Sequence, residues 1–390
     1  MKEKLIVLRS SGSTRDPFRG PSFESAAQPE MKVEIDEVER RDIPRITRHA
    51  DVMAVAPPMP MRLIEPLDAH EATAAEAGDF SWGVQAVQAD TSPFSGDGVV
   101  VAVLDTGIEA THPAFAGVEL LRRNFTDEGE DDEHGHGTHC AGTIFGRKVG
   151  STRIGVAPGV SRALIGKVLG DGGGSSEQIV NAIHWAVQNG AHVISMSLGI
   201  DFPGYARWQR VQAGFPEELA TSRALEGYRA NVLLFERLAS LVRAGSQPTL
   251  IVAAAGNESR RGEDERFEIS VSPPAVSEGI ISVAALGRGA DGFDVADFSI
   301  TGANVSGPGV SVVSAGLGGG LRTMSGTSMA CPHVAGVAAL WAEKIGRTGP
   351  LNVLNLTARL VGSASFDGLG AGFDPFDVGE GMVRAPQTQG

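Results

Sequence analysis

From Gly96 onward the sequence repeats one alternation, an apolar run of strand length followed by a stretch with helical spacing. The runs are Val99 to Leu104, Ala163 to Leu169, His192 to Met196, Thr249 to Ala255 and Gly279 to Leu286. Each is apolar on both faces, as suits interior strands of a parallel sheet. Helical spacing is clearest at Ser176 to Gln188, where Ile179, Ile183 and Val187 recur every four residues after serine caps, and at Thr327 to Lys344. The expected fold class is therefore α/β, a mostly parallel central sheet with helices on both faces. Active sites in such sheets gather at the carboxyl ends of strands.

Residues 1–66 read differently. They hold two short strand-like runs, Leu5 to Leu8 and Met31 to Ile35, a charged segment Asp36 to Ala50, and the run Val52 to Ala56, which together predict a small α+β region. Glu65 to Asp79 is rich in Ala and acids without an apolar stripe, which reads as a linker or exposed segment, and residues 67–80 are expected to be a linker with a possible processing site. Residues 81–390 form the main domain. Within it, 200–248 is a long connection, strongly helical from Phe215 to Ala244 through Leu219, Leu225, Tyr228, Val232, Phe235 and Leu238. It is either an extra helical layer or a wall that narrows a cleft or docks a partner.

A formal net charge of −14 disfavours nucleic acid as a partner, since sequence-independent affinity for phosphates comes from Lys and Arg. The apolar stretch near Met1 is too short for a secretory signal, and no window is long enough to span a membrane. With two cysteines, a disulfide scaffold is not expected, and the cytoplasm is the expected compartment.

Asp105 follows the first run directly, in Val103-Leu104-Asp105-Thr106-Gly107, where a turn or cap would equally suit an Asp. His134, His136 and His139 are separated by small residues. One of them serves as a general base, or all three ligate zinc, or they are solvated loop histidines. Ser328, in Ser325-Gly326-Thr327-Ser328-Met329-Ala330, precedes a helix whose N-terminal N–H groups can help hold an oxyanion. Asn257 ends another strand and can cap, turn, or donate its amide.

Asp105, His136 and Ser328 occur in the order Asp, His, Ser, one of the orders known for nucleophilic serine chemistry. At these residues the sequence resembles the subtilisin family. Its three signatures are matched by Val103 to Gly107, by His136-Gly137-Thr138-His139-Cys140-Ala141-Gly142, and by Gly326 to Gly336. The oxyanion-hole segment is matched by Ala253-Ala254-Ala255-Gly256-Asn257 and the substrate-binding strand by Ser195-Met196-Ser197-Leu198-Gly199. The resemblance spans about Trp82 to Ala385.

This resemblance implies a serine endopeptidase with Ser328 as nucleophile, His136 as base, Asp105 orienting it, and Asn257 with the Ser328 N–H meeting the oxyanion. Ser197, Leu198, Gly199, Ala255 and Gly256 would bind protein or peptide substrates as an added strand. His139 and His333 become structural, His134 is left open, and Cys140 and Cys331 lie just behind the catalytic groups. The N-terminal region is similar to a propeptide, an intramolecular inhibitor whose Leu63 to Gly78 would thread the cleft and be cut. The 200–248 connection is roughly twice the length usual among relatives.

No cofactor is expected. Relatives with a tight calcium site place a carboxylate after His-Pro and an Asn in the following loop. Here those positions hold Ala114 and Val149, with Arg147, Lys148 and Arg153 alongside, either excluding the ion or merely solvated. Asp127 to Glu133 is acidic enough for weak calcium binding. Two rivals stand beside the peptidase: a metal-dependent hydrolase on His134, His136 and His139, and a catalytically silent protein that holds peptides in the same cleft.

Overall fold

A run apolar on both faces must be covered on both, and the five runs become the five middle strands of one sheet. The computed structural model describes residues 2–11, 30–73 and 78–388. Its first part holds β1 (Lys2–Ser11), β2 (Glu30–Glu39), the helical turn α1 (Ile43–Ile46), β3 (Val52–Ala56), β4 (Pro60–Leu63) and β5 (Leu67–Glu71). β1 lies between β2 and β3, antiparallel to both. The charged segment is partly strand, because Glu37 and Glu39 of β2 face Lys4 and Lys2 across the ladder.

The chain continues through α2 (Trp82–Ala86), β6 (Val100–Asp105), β7 (Glu119–Asn124), α3 (His136–Phe145), the two-residue strands β8 (Lys148–Val149) and β9 (Thr152–Arg153), and β10 (Arg162–Lys167). Next come β11 (Gly174–Ser175), α4 (Ser176–Gln188), β12 (Val193–Met196), β13 (Leu198–Ile200), α5 (Phe202–Val211), α6 (Glu217–Ala244) and β14 (Leu250–Ala254). The last part is β15 (Ile280–Arg288), β16 (Phe293–Val295), β17 (Val305–Pro308), β18 (Val312–Ala315), β19 (Leu321–Ser325), α7 (Thr327–Gly346), α8 (Val353–Val361) and α9 (Pro375–Val378).

The main sheet runs β16-β15-β14-β12-β6-β10-β7, with β17 also on β15, and every pairing but that of β16 is parallel. Alternate residues of β6 enter different cores. Val101 and Val103 pack with Ile144 of α3 and Val334 of α7, whereas Ala102 and Leu104 pack with Ile183 of α4 and Leu238 of α6. Helices therefore cover both faces, as expected. The second core also takes Ile6, Leu8, Ala54 and Ala56, so the N-terminal sheet buries its inner face on α4 and α6.

The 200–248 connection is a two-helix layer. Leu234, Phe235, Leu238, Ala239, Leu241 and Val242 of α6 are buried, while earlier in that helix the layer meets the N-terminal region through Arg40 and Glu226 at 2.7 Å and Asn231 Nδ2 donating to Pro57 O. α5 is absent from the sequence reading because Pro203 and Gly204 sit in its first turn. Pro is tolerated there, where no helical acceptor awaits its missing N–H, and Asp201 caps the turn by accepting from Gly204 N.

β5 is exposed but pairs antiparallel with β19, so Leu67 to Glu71 is a bound strand. Residues 74–77 of the expected processing stretch lie outside the described residues. Among the described residues no helix is long and apolar enough to cross a membrane.

Candidate active site

Asp105 is the last residue of β6 and His136 the first of α3. A side chain at Gly137 would place its Cβ 2.2 Å from Gly107 O, so glycine lets the helix start against the turn that follows Asp105. His136 Nδ1 donates to Asp105 Oδ1 at 2.7 Å, and that oxygen also accepts from Thr106 N. Burial works against the imidazolium, but the Asp105 carboxylate and the Cys140 sulfur outweigh it and hold His136 well above its ordinary value. Nε2 of His136 is buried and has no hydrogen-bond partner among the described residues.

Ser328 lies in the first turn of α7. Gly326 is required before it, because a Cβ there would meet Asn257 Nδ2 at 2.9 Å. Pro332 has no N–H to give Ser328 O, four residues earlier. Ser197 Oγ and Cys140 Sγ donate to that carbonyl instead, at 3.2 and 3.4 Å, which ties the serine's backbone to β12–β13 and α3. The Ser328 hydroxyl itself donates to Ile64 O at 2.9 Å.

Ala255 and Gly256 carry the chain from β14 to Asn257. The side-chain oxygen of Asn257 accepts from Thr327 N at 2.8 Å and lies 2.9 Å from Thr327 Oγ1, so the amide nitrogen faces outward and donates to Glu65 O at 2.9 Å. The cleft is filled by β4, which pairs antiparallel with β13 on one side and β11 on the other. Leu198 faces Leu63 and Gly199 faces Arg62, while Ser197 O accepts from Ile64 N at 3.4 Å. His134 borders the same groove, with Nε2 3.6 Å from a Glu65 carboxylate oxygen.

His134, His136 and His139 do not bring their ring nitrogens together. His139 turns its Nε2 to Val312 O and Arg322 O, and burial lowers it to about 3. Among the described residues the only His, Cys, Asp or Glu group close enough to share an ion is Asp105, His136 and Cys140. His333 is buried, held through Nδ1 by Met329 O and lowered by burial to about 4. Cys140 and Cys331 are free and fully buried, and Cys140 Sγ lies 3.8 Å from His136 Nδ1.

Two groups escaped the sequence reading. Thr327 orients Asn257, and Asp132 gathers Thr106 Oγ1, His134 N, Gly135 N and both the N–H and hydroxyl of Thr138. Burial opposes the Asp132 carboxylate, yet these donors prevail and lower it below its ordinary value. Its signal was an Asp a few residues before a helix start, which reads as an ordinary turn.

The comparisons with known proteins agree with this architecture. The model of the subtilase family matches residues 96–381. The chain belongs to the subtilase family. It is 33% identical over 300 residues to a thermostable alkaline protease of Halalkalibacterium halodurans, covering 74% of this chain and 71% of that one. It is 34% identical over 275 residues to an intracellular serine protease of Paenibacillus polymyxa, covering 68% and 73%. Against subtilisin DY of Bacillus licheniformis it is 32% identical over 308 residues, 78% and 96% of the two chains. This subtilase is a subtilisin-like serine protease acting on protein or peptide substrates.

Proposed function

We propose that this subtilase cuts peptide bonds with Asp105, His136 and Ser328, and that its own N-terminal region holds the enzyme latent. The carrying observation is that Ser328 Oγ and Asn257 Nδ2 both donate to one extended segment, Ile64 and Glu65, laid beside the Asp105–His136 pair. In turnover the Ser328 oxygen bonds to the scissile carbonyl carbon as its proton passes to His136 Nε2. The C–N bond then breaks, the amine leaves with that proton, and water hydrolyses the acyl ester by the reverse transfers. Asp105 keeps the proton on Nδ1 and stabilises the imidazolium, while Asn257 Nδ2 and the Ser328 N–H receive the oxyanion.

The bound segment is held without being presented for attack. Ser328 donates to the oxygen of the Ile64 carbonyl, whereas Asn257 holds the next carbonyl, that of Glu65. Attack needs nucleophile and oxyanion donor on one peptide unit, so Ile64 O must first rotate towards Asn257. This supports an inhibitor that is cut slowly.

The base must be neutral, and its elevated pKa moves the acid limb of kcat/KM upward. Opening the cleft rehydrates His136 and relieves burial, a cause that lowers it, so the limb stays high. The limb is expected above the ordinary histidine value of about 6.5. A pH–rate profile with its midpoint at or below that value would contradict this account of His136.

A tight calcium site does not fit the loop. Arg147 donates to the carbonyls of Pro158, Phe145 and Val160, and Arg153 to those of Gly155, Ala89 and Val156. These arginines are not merely solvated. Burial lowers both, and their guanidinium groups put two positive charges on the loop that a calcium ion would have to enter. In the acidic run, Arg122 pairs with Glu130 and Asp131, and Lys167 with Glu128, which weakens it as a cation site. The two free thiols fit a reducing compartment such as the cytoplasm. The test is a fluorophosphonate probe with chelator present. It should add to Ser328 by mass spectrometry and abolish activity, while chelator alone changes neither rate nor unfolding midpoint. A chelator-sensitive rate with no adduct would reverse the reading.

A further inference from the structure

The long connection places an acid beside the cleft, at a point where this chain already inserts a cation. Arg62 faces Gly199 on the strand that fills the cleft, the third residue back when Ile64 is counted as the first before the cut bond. Its Nη2 donates to Glu258 Oε1 at 2.7 Å, and its Nη1 lies 3.7 Å from Asp201 Oδ1. Glu258 directly follows the oxyanion donor Asn257. Asp201 opens α5, and its backbone N–H donates to Pro60 O. Among the described residues Arg62 is the only cation paired with either carboxylate.

Beside this pair is a cavity of about 290 Å³ whose walls include Ile200, Phe202, Pro203, Leu225, Tyr228 and Ile269, with Arg62 and Glu258 also lining it. Phe202, Pro203, Leu225 and Tyr228 all come from α5 and α6. An apolar wall next to two carboxylates is matched to a side chain with an aliphatic stem and a cationic head. Turnover requires β4 to leave, which strips both acids of their cation. The next extended chain bound in the same register sets its own third residue there.

We propose that Asp201 and Glu258, with the apolar wall built by α5 and α6, form a subsite that selects a basic residue, arginine above all, third before the cut bond. This rests on the reading that the cleft hydrolyses peptides. The carboxylates are partly exposed, 31% and 40%, so the selection is moderate and sensitive to salt.

The test uses the full chain, incubated until its activity is constant, and matched peptides carrying Arg, Lys, Gln or Glu at that position. Each exposed ion pair contributes little, so kcat/KM for Arg over Gln should be about three- to tenfold, with Glu lowest. The ratio should fall towards one in the double variant Asp201→Asn, Glu258→Gln, where Asn keeps the cap on α5, and in about 1 M salt. Damage to the fold would slow all peptides alike and leave the ratio standing. A ratio of one in the wild type, or one that survives the double variant, overturns the subsite while leaving the peptidase intact. Cleavage of none of the peptides overturns both.

Discussion

Ser328→Ala should leave a folded chain whose peptidase rate is lower by about 10⁶-fold, the size of the loss when a subtilisin is deprived of its serine. The fold should survive because among the described residues the hydroxyl makes a single hydrogen bond, to Ile64 O, while the contacts that seat the residue run through its carbonyl to Ser197 and Cys140. Wild-type protein on incubation should lose its N-terminal region by cutting at or beyond Ile64, after a lag in which the Ile64 carbonyl turns to Asn257. The variant should stay full length. Gel mobility, N-terminal sequencing and hydrolysis of a chromogenic peptide read all three outcomes. Near-normal turnover in the variant would remove Ser328 from the mechanism. Equal shortening of both proteins would assign the cut to another agent.

Much of this site was legible because its residues sit at the ends of strands that burial on both faces makes conspicuous. Val99 to Leu104 is apolar throughout, so Asp105 stands out at its end, and Asn257 stands out in the same way after Leu250–Ala254. Edge strands gave no such signal. Glu119–Asn124 is half exposed and mixes charges with leucines, and Phe293–Val295 is three residues long. The role of β4 was less legible. Its residues read as the end of a small domain, yet they are held by backbone pairing to Gly174, Ser175 and Leu198 to Ile200, contacts that carry no side-chain pattern. Arg147 and Arg153 were hidden for a related reason. A guanidinium that serves backbone carbonyls looks in sequence like any solvated cation, and only the turning of the loop around it reveals the difference.

Asn257→Leu should lower kcat by about 10²–10³-fold with KM little changed, a range taken from the equivalent donor of a subtilisin. The selectivity for kcat follows from where the amide points. Nδ2 faces the cleft because Oδ1 is fixed by Thr327, and a donor so held gains most when negative charge develops on the carbonyl oxygen. Leucine keeps the volume but removes the donor. It also leaves Thr327 N without the Asn257 oxygen, while Thr327 Oγ1 keeps Gly256 O as acceptor, and one unmet buried donor costs about 1–3 kcal/mol of stability, so folding must be followed alongside rate. Thr327→Val separates the two effects. It preserves the amide but deletes the hydroxyl contact that steadies it, and Gly256 N loses an acceptor as well. A smaller fall in kcat than in Asn257→Leu, again without a matching rise in KM, is expected from an amide that keeps the Thr327 N–H but has lost the hydroxyl as its second anchor. If Asn257→Leu leaves kcat unchanged in a protein that remains folded, the oxyanion is held by backbone N–H groups alone.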